Sequence, residues 1–469
     1  MRGISHDIVI LGSGSTAFAA ALRAQSLGAT VLMIEKSMLG GTCINWGCIP
    51  SKTLIHAALL RREAQLGQQL GLGLSWGEVD YPLLGQHKEE VVQHLRQNRY
   101  LEVLKRVPGL TLIRGTGRFL DQRTIEVDGN PVESDRILVA TGGHPRSIAI
   151  PGLDETDYLT SRNALLLKTL PRSLIVVGGG VIAMEMGQMY MRLGCRVTVL
   201  EHGSRILPGI EPEPVQALAE SLIAEGMRIE VNASVCSVAK RGNQTVVEAE
   251  INGSREELTA ERLLLAVGTA PASGGIGLEK AGVELDDRGY IKVDDMMRTT
   301  APGIWAAGDV TGGMMIATVG AREGIVAADN ILNPECGCRM DYLSAPMAIF
   351  TDPEVGIVGL TEAAALKAGH DVLCNTIPVS AIPKAHVTGQ TGGAIKIVAE
   401  RNSGQIIGVH LSCYRGSELI NEAALAVRCR MTVRELANAM HVYPSMSEGL
   451  RLCAQGFSRD ISRLSCCAE

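Results

Sequence analysis

Apolar residues fall along the chain in two arrangements. In the first two thirds, short unbroken runs of Val, Ile and Leu end on glycine, and two of these runs lead into apolar-rich stretches of helical length. The earlier run, His6 to Leu11, reads DIVIL over its last five residues and closes on Gly12-Ser13-Gly14-Ser15-Thr16-Ala17. An alanine-rich segment from Ala17 to Leu27 predicts a helix, and Thr30 to Ile34 predicts a second buried strand closing on Glu35. Continuous apolar runs bounded by turn residues mark strands covered on both faces. The order recurs at Ser173 to Val177, followed by Gly178-Gly179-Gly180-Val181-Ile182-Ala183, a helix to about Leu193, and a strand from Cys195 to Leu200 ending at Glu201. Three further runs end similarly, at Ile137–Gly142, Leu263–Gly268 and Ile304–Asp309. Beyond about residue 340 the pattern changes. Pro346–Phe350, Ala394–Val398 and Gln405–His410 suit an antiparallel sheet, and helices are expected at about 417–428, 432–439 and 447–458.

Strand, GxGxxA turn, helix, strand and acid together form a dinucleotide-binding unit. The glycines allow a tight turn against a pyrophosphate, the helix start attracts its charge, and the acid accepts from ribose hydroxyls. Two such units imply one flavin and one nicotinamide site. The expected architecture is α/β, with two Rossmann-like dinucleotide-binding domains and a C-terminal α+β domain suited to dimerisation. The expected boundaries are 1–155 (flavin domain, first part), 156–272 (nicotinamide domain), 273–340 (flavin domain, second part) and 341–469 (interface domain). Among single residues, Asp309 follows a buried strand and a glycine, where its carboxylate suits flavin ribityl or ribose hydroxyls.

Composition narrows the picture modestly. With 469 residues the chain exceeds a single core, and with 3% aromatics its cores must be built from aliphatic residues, Ala and Met. A net charge of −6 gives no reason to invoke nucleic acid or an anionic membrane surface. No run of 18 apolar residues occurs and the start lacks a signal-peptide pattern, so a soluble, cytoplasmic protein is expected. Its 12 cysteines are then expected to be mostly reduced, which makes specially spaced pairs redox or metal candidates.

The most informative pair lies in Gly40-Gly41-Thr42-Cys43-Ile44-Asn45-Trp46-Gly47-Cys48-Ile49-Pro50-Ser51-Lys52. A helix is expected from Pro50, so its positive end would face Cys48 and favour the thiolate. Cys195, Cys236, Cys374, Cys413, Cys429 and Cys453 read as small hydrophobes in apolar segments. Cys336-Gly337-Cys338 has a metal-like spacing but no nearby histidine.

A chain combining GxGxxA at 12–17, GGTCxxxxCxPSK at 40–52, ATG at 140–142, GGGxIAxE at 178–185 and AAGD at 306–309 resembles the pyridine nucleotide–disulfide oxidoreductases of glutathione reductase-like fold, over essentially its whole length. The resemblance implies FAD held by Gly12, Gly14, Ala17, Glu35, Lys36, Gly41, Thr42, Gly117, Thr141, Gly142, Asp309 and Ala317. It implies NAD(P)H held by Gly178, Gly180, Ala183, Glu201, Arg205 and Gly268. Cys43 and Cys48 become the redox pair, with Cys48 against the flavin and Cys43 facing substrate, and Lys52 pairs with Glu185 across a domain boundary.

Within that family the chain resembles the mercuric reductases, on two features. Disulfide-reducing members carry an HPTxxE element whose histidine relays protons. Here the segment reads His441-Val442-Tyr443-Pro444-Ser445-Met446-Ser447-Glu448, with tyrosine in the base position. A phenol is a poor acid–base partner for thiols at neutral pH. The chain also ends in a vicinal pair, Cys466-Cys467, suited to a soft cation that prefers two thiolates. The implied function is reduction of Hg(II), taken from a thiol complex, to Hg(0). Cys43, Cys48, Cys466 and Cys467 would be metal ligands, Tyr443 would border the metal path, and each site would be shared between the subunits of a homodimer. An N-terminal metal-binding domain found in many members is not expected in this chain. NADPH is expected from the family, whereas Glu201 favours NADH and Arg205 is within reach of a 2′-phosphate. Two alternatives stand beside this: a dihydrolipoamide dehydrogenase-like disulfide reductase using His441 as base, and a mercury-binding protein without reductase activity.

Overall fold

The computed structural model describes residues 6–75 and 77–463. Strand β1 (Ile8–Leu11) leads into helix α1 (Ser15–Ser26), strand β2 (Val31–Glu35), the short helix α2 (Gly41–Asn45) and the long helix α3 (Cys48–Gln69). After strands β3 (Leu110–Arg114) and β4 (Ile137–Val139) the chain crosses into a second unit. This has β5 (Ser173–Val177), α4 (Val181–Leu193), β6 (Arg196–Leu200), α5 (Pro212–Ala224), β7 (Arg228–Glu230) and β8 (Arg262–Leu265). It returns to the first unit through β9 (Ile304–Ala306) and α6 (Ala317–Leu332). The first sheet runs β9-β4-β1-β2-β3 and the second β7-β6-β5-β8, both parallel throughout. Strand β1 is buried along its whole length, as continuous apolar runs require.

The two strand-to-helix turns are alike because the same constraint acts on both. Gly12 has φ +117° and Gly178 φ +107°. A Cβ on Gly12 would stand 2.2 Å from the Ala140 carbonyl oxygen, and one on Gly178 2.5 Å from that of Ala266. Any side chain there would push the neighbouring strand aside.

The last unit is an antiparallel sheet of β10 (Met347–Ile349), β11 (Glu354–Gly359), β12 (Val372–Pro378), β13 (Ala394–Glu400) and β14 (Ile406–Cys413), in the order β10-β11-β14-β13-β12. Helices α7 (Gly416–Arg428), α8 (Val433–Asn438) and α9 (Glu448–Gln455) complete it. Two of its strands, β11 and β12, were not expected. A three-stranded meander over Ala233–Arg241, Gln244–Ile251 and Ser254–Ala260 in the second unit was not expected either. The cores are aliphatic and methionine-rich, and one of them spans the units: Leu54 and Ala58 of α3 pack with Met184, Met189 and Tyr190 of α4. Burying Leu54 there stabilises this joint by about 2 kcal/mol.

Among the described residues, no helix is long and apolar enough to cross a membrane. Of the isolated cysteines, Cys195, Cys413 and Cys453 are buried as expected. Cys236 and Cys374 are half-buried, and Cys429 is exposed at the end of α7, so it is not a core residue.

Candidate active site

The dithiol sits on two consecutive helices. Cys43 lies within α2, and Gly47 caps α3 so that Cys48 is its first residue. The helix starts two residues earlier than Pro50 suggested, since proline is tolerated anywhere in a first turn whose N–H groups lack intrahelical acceptors. No side chain caps this start and no acid occupies its first turn, so its positive end is left to the sulfur.

Both cysteines are free thiols, half-buried, and their protons are unequally held. A thiol hydrogen bond from Cys43, and then the charge of Lys52, bring the Cys48 thiol down to about 7 against the opposing effect of burial. The same hydrogen bond, with burial, pushes Cys43 well above the ordinary thiol range. Cys48 is therefore the sulfur that ionises first, about half of it as thiolate at neutral pH, while Cys43 keeps its proton.

Lys52 stands one turn beyond Cys48. Its Nζ donates to Glu185 Oε2 at 2.7 Å and lies 4.7 Å from the centre of the Phe350 ring. Glu185, on α4 and 5% exposed, accepts the Phe350 N–H at 2.9 Å through Oε1. The expected ion pair is present, and through Phe350 it also ties the dithiol helix to the third unit. Lys52, Glu185 and Phe350 line a cavity of about 640 Å³ with His56, Arg192 and Tyr414.

On the other side of the dithiol a cleft gathers Gly12, Gly14, Glu35, Lys36, Gly41, Thr42, Cys43, Cys48, Thr141, Gly142, Asp309 and Ala317. Two of the proposed flavin residues stand away from it. Ala17 is wholly buried in α1, and Gly117 packs beneath Leu11 and Ile34. The cleft holds polar groups that the protein itself leaves unsatisfied. Thr141 Oγ1 is buried with no partner. Burial raises the Asp309 carboxyl, and only its own backbone N–H offsets this. A dinucleotide's ribose or ribityl hydroxyls would supply what both lack, so these residues fit FAD.

In the second unit, Gly178 and Gly180 form the turn and Ala183 lies buried in α4. Glu201 folds back on the turn, taking the Gly179 N–H at 2.5 Å and the Gly203 N–H at 2.6 Å. Arg205 donates to the Pro208 carbonyl at 2.6 Å, and Gly268 lies past β8, its carbonyl accepting the Arg146 N–H at 3.0 Å.

The 441–448 segment differs from the sequence expectation in one respect. His441 and Tyr443 do not act as one face: the His441 Nε2 is 2.7 Å from Glu422 Oε1 and its side chain is 6% exposed, whereas Tyr443 is 47% exposed. Glu448 is buried with Arg451 at 3.0 Å. The hydrogen bond to Glu422 raises the His441 pKa. Cys466 and Cys467 lie outside the described residues. Cys336 and Cys338 are joined as a disulfide, and among the described residues no group of three or more His, Cys, Asp or Glu could hold a metal.

Several residues at the site were not anticipated. Arg162 stacks 4.9 Å over Trp46, donates to the Gly143 carbonyl at 3.2 Å, and lines the flavin cleft. Glu323, buried in α6, accepts the Gly308 N–H at 2.7 Å and the Tyr342 hydroxyl at 2.8 Å, which fixes the turn carrying Asp309. A lone acid among the apolar positions of α6 was the available signal for Glu323. Nothing local linked Trp46 to Arg162. Ser13 donates to Glu35 at 2.7 Å from inside the first turn.

Comparison with known proteins agrees with this geometry. Residues 6–324 match the pyridine nucleotide-disulphide oxidoreductase family and residues 345–454 match its dimerisation domain. A mercuric reductase of Staphylococcus aureus is 38% identical over 100% of this chain and 85% of its own length. One from Streptomyces lividans is 36% identical over 99% and 98%. Among solved structures, a Cu(II) complex of the HOCl-induced flavoprotein disulfide reductase RclA from Escherichia coli superposes with TM-score 0.85 at 31% identity, covering 97% of this chain and 99% of that one. The family uses FAD and a pyridine nucleotide, and the fold is that of flavoprotein disulfide reductases. The chain belongs to the pyridine nucleotide-disulphide oxidoreductase family and is similar over its whole length to the mercuric reductases.

Proposed function

We propose that the protein reduces Hg(II) to Hg(0) with electrons from NAD(P)H, through Cys43 and Cys48. The observation that carries this reading is a half-exposed dithiol, opening on the dinucleotide cleft, with one sulfur ionised near pH 7. Such a pair matches a soft cation that binds two thiolates, and mercuric reductases are among the relatives that span this chain.

Hg(II) arrives as a thiol complex and is taken by ligand exchange onto the pair, Cys43 meeting it from the substrate side and Cys48 supplying the thiolate on the flavin side. Each exchange releases one carrier thiolate, and the Cys43 proton leaves with one of them as free thiol while the Cys43 sulfur becomes a ligand. Bound FAD supplies a two-electron link between NAD(P)H and this dithiol. Lys52, fixed by Glu185, keeps a positive charge beside Cys48 so that the thiolate is present at rest. The overall balance is the dithiolate complex Hg(SR)₂ plus NAD(P)H and one proton giving Hg(0), NAD(P)⁺ and two free thiols RSH, and the uncharged atom leaves because thiolates bind it poorly.

The 440–443 stretch, with Met440 98%, Val442 78% and Tyr443 47% exposed, is assigned to the second subunit's site in a homodimer. There Tyr443 borders the metal path and Cys466 and Cys467 deliver Hg(II).

A disulfide substrate is the second reading, favoured by the disulfide reductase of matching fold. It would need His441 as base, and that imidazole is held by Glu422. Purified holoprotein, identified by its flavin band at about 450 nm, separates the readings. Oxidation of NAD(P)H driven by Hg(II) in excess thiol, with release of Hg(0), is expected. Turnover of lipoamide without any response to Hg(II) would favour the second reading, and a protein purified without flavin would point to sequestration alone.

A further inference from the structure

The two dinucleotide units permit an internal comparison that bears on the electron donor. In the first unit Glu35, the last residue of β2, accepts from the Ser13 hydroxyl at 2.7 Å and from the Ser37 N–H at 2.6 Å. In the second, Glu201 directly follows β6 and accepts from the Gly179 N–H at 2.5 Å and the Gly203 N–H at 2.6 Å. Ser13 and Gly179 are the middle residues of their turns. Ser37 and Gly203 each lie two residues past their acid. The helix caps agree as well, with Gly14 at φ −75°, ψ −175° and Gly180 at φ −81°, ψ −173°. Both units thus fix a carboxylate in one place, by donors at the same two positions.

The nucleotide of the first unit is known chemically: FAD carries no 2′-phosphate, so its adenosine ribose offers a free 2′-OH. A braced carboxylate is a good acceptor for that diol and a poor neighbour for a phosphate dianion. We propose that the second unit is built to the same specification, so that Glu201 selects NADH over NADPH. This rests on the reading that the protein oxidises a pyridine nucleotide, and it departs from the NADPH expected from family resemblance.

The basic side chains nearby do not reverse the selection. His202 Nδ1 lies 2.9 Å from Ser234 Oγ, and Arg205 Nη2 is directed to the Pro208 carbonyl at 2.6 Å. Of these two side chains, Arg205 has its Nη1 buried without a protein partner, which makes this guanidinium the competing anchor for a phosphate. Gly179 reinforces the arrangement: a Cβ there would stand 2.8 Å from Glu201 Oε2, so the residue type keeps the carboxylate against the turn.

The test is anaerobic reduction of the bound flavin by NADH and by NADPH without Hg(II), together with calorimetric titration of the oxidised holoenzyme with NAD⁺ and NADP⁺. NADH is expected to be preferred by about tenfold or more in rate at subsaturating nucleotide, and NAD⁺ to bind correspondingly tighter. Glu201→Gln, which removes the charge and keeps the volume, is expected to narrow the ratio mainly by improving NADPH. Equal use of both nucleotides, or preference for NADPH, overturns the proposal. An NADPH preference that collapses in Arg205→Met assigns the phosphate to that guanidinium instead. If neither nucleotide reduces the flavin, the electron-transfer reading fails, and the NAD⁺ to NADP⁺ binding ratio still decides this selection by the same criterion.

Discussion

The dithiol end and the 440–448 end of this chain are built on opposite principles. Around Cys43 and Cys48, everything the sulfur chemistry needs comes from the same chain: an uncapped helix start, Lys52 one turn on, Glu185 from a second unit, and Phe350 from a third. Around Tyr443 the chain turns large side chains outward and locks its one histidine inward on Glu422. The first region is organised before any ligand arrives. The second presents exposed side chains from a unit that matches the family's dimerisation domain. Under the proposed function, the contrast sets a sulfur prepared within each chain beside a metal-delivery arm contributed by the partner.

The largest effect should follow from breaking the preset end. Cys48→Ser is expected to lower Hg(0) release by roughly three orders of magnitude while leaving the holoprotein able to bind flavin. Retained Hg(0) release would remove the dithiol from the mechanism. At the other end, Tyr443→Phe is expected to lower kcat/KM for thiol-complexed Hg(II) by about tenfold. Reduction of the flavin by nicotinamide should be unchanged, because the proposed role of Tyr443 is in metal delivery alone. An equal loss in both assays would place the residue in folding rather than delivery.

A smaller effect sharpens the electrostatic side. Alkylation of Cys48 by iodoacetamide should follow ionisation with a midpoint at about 7. In Lys52→Met the midpoint should rise by roughly one pH unit, and an unmoved midpoint would mean that the helix start and Cys43 suffice. The smallest effect tests whether His441 belongs to stability. Its pKa is raised by Glu422, so its contribution is full below the ordinary imidazole value and is lost as pH rises through the folded value. Glu422→Gln should therefore cost about 1 kcal/mol below the ordinary imidazole value and progressively less as pH rises through the raised folded value, read from unfolding curves over that range.

The sequence was legible where one residue type answers one constraint. Gly12 and Gly178 must have positive φ and no Cβ, and β1 and β5 must be apolar on both faces, so both nucleotide turns could be read directly. The start of α3 was misplaced because proline is compatible with several positions of a first turn. The strand Ser254–Ala260 was missed because it is an edge of its meander and opens with a serine and three consecutive charges, Arg255 to Glu257, leaving no apolar alternation to read. The stacking of Arg162 on Trp46 and the holding of His441 by Glu422 join residues distant along the chain. No local pattern encodes such pairs, and only the folded packing brings them together.

The central claim, that one chain's preset dithiol works with another chain's outward-facing end, is tested most directly by subunit mixing. Cys48→Ser and the combined Tyr443→Phe, Cys466→Ala, Cys467→Ala variant are each prepared, mixed, dissociated and reassociated, and Hg(0) release from a thiol complex is measured. Random pairing gives half hybrid dimers, each with one site made wholly of native residues, so about a quarter of the wild-type rate should return. A mixture no more active than its parents would contradict the claim and place both ends of the site within a single chain.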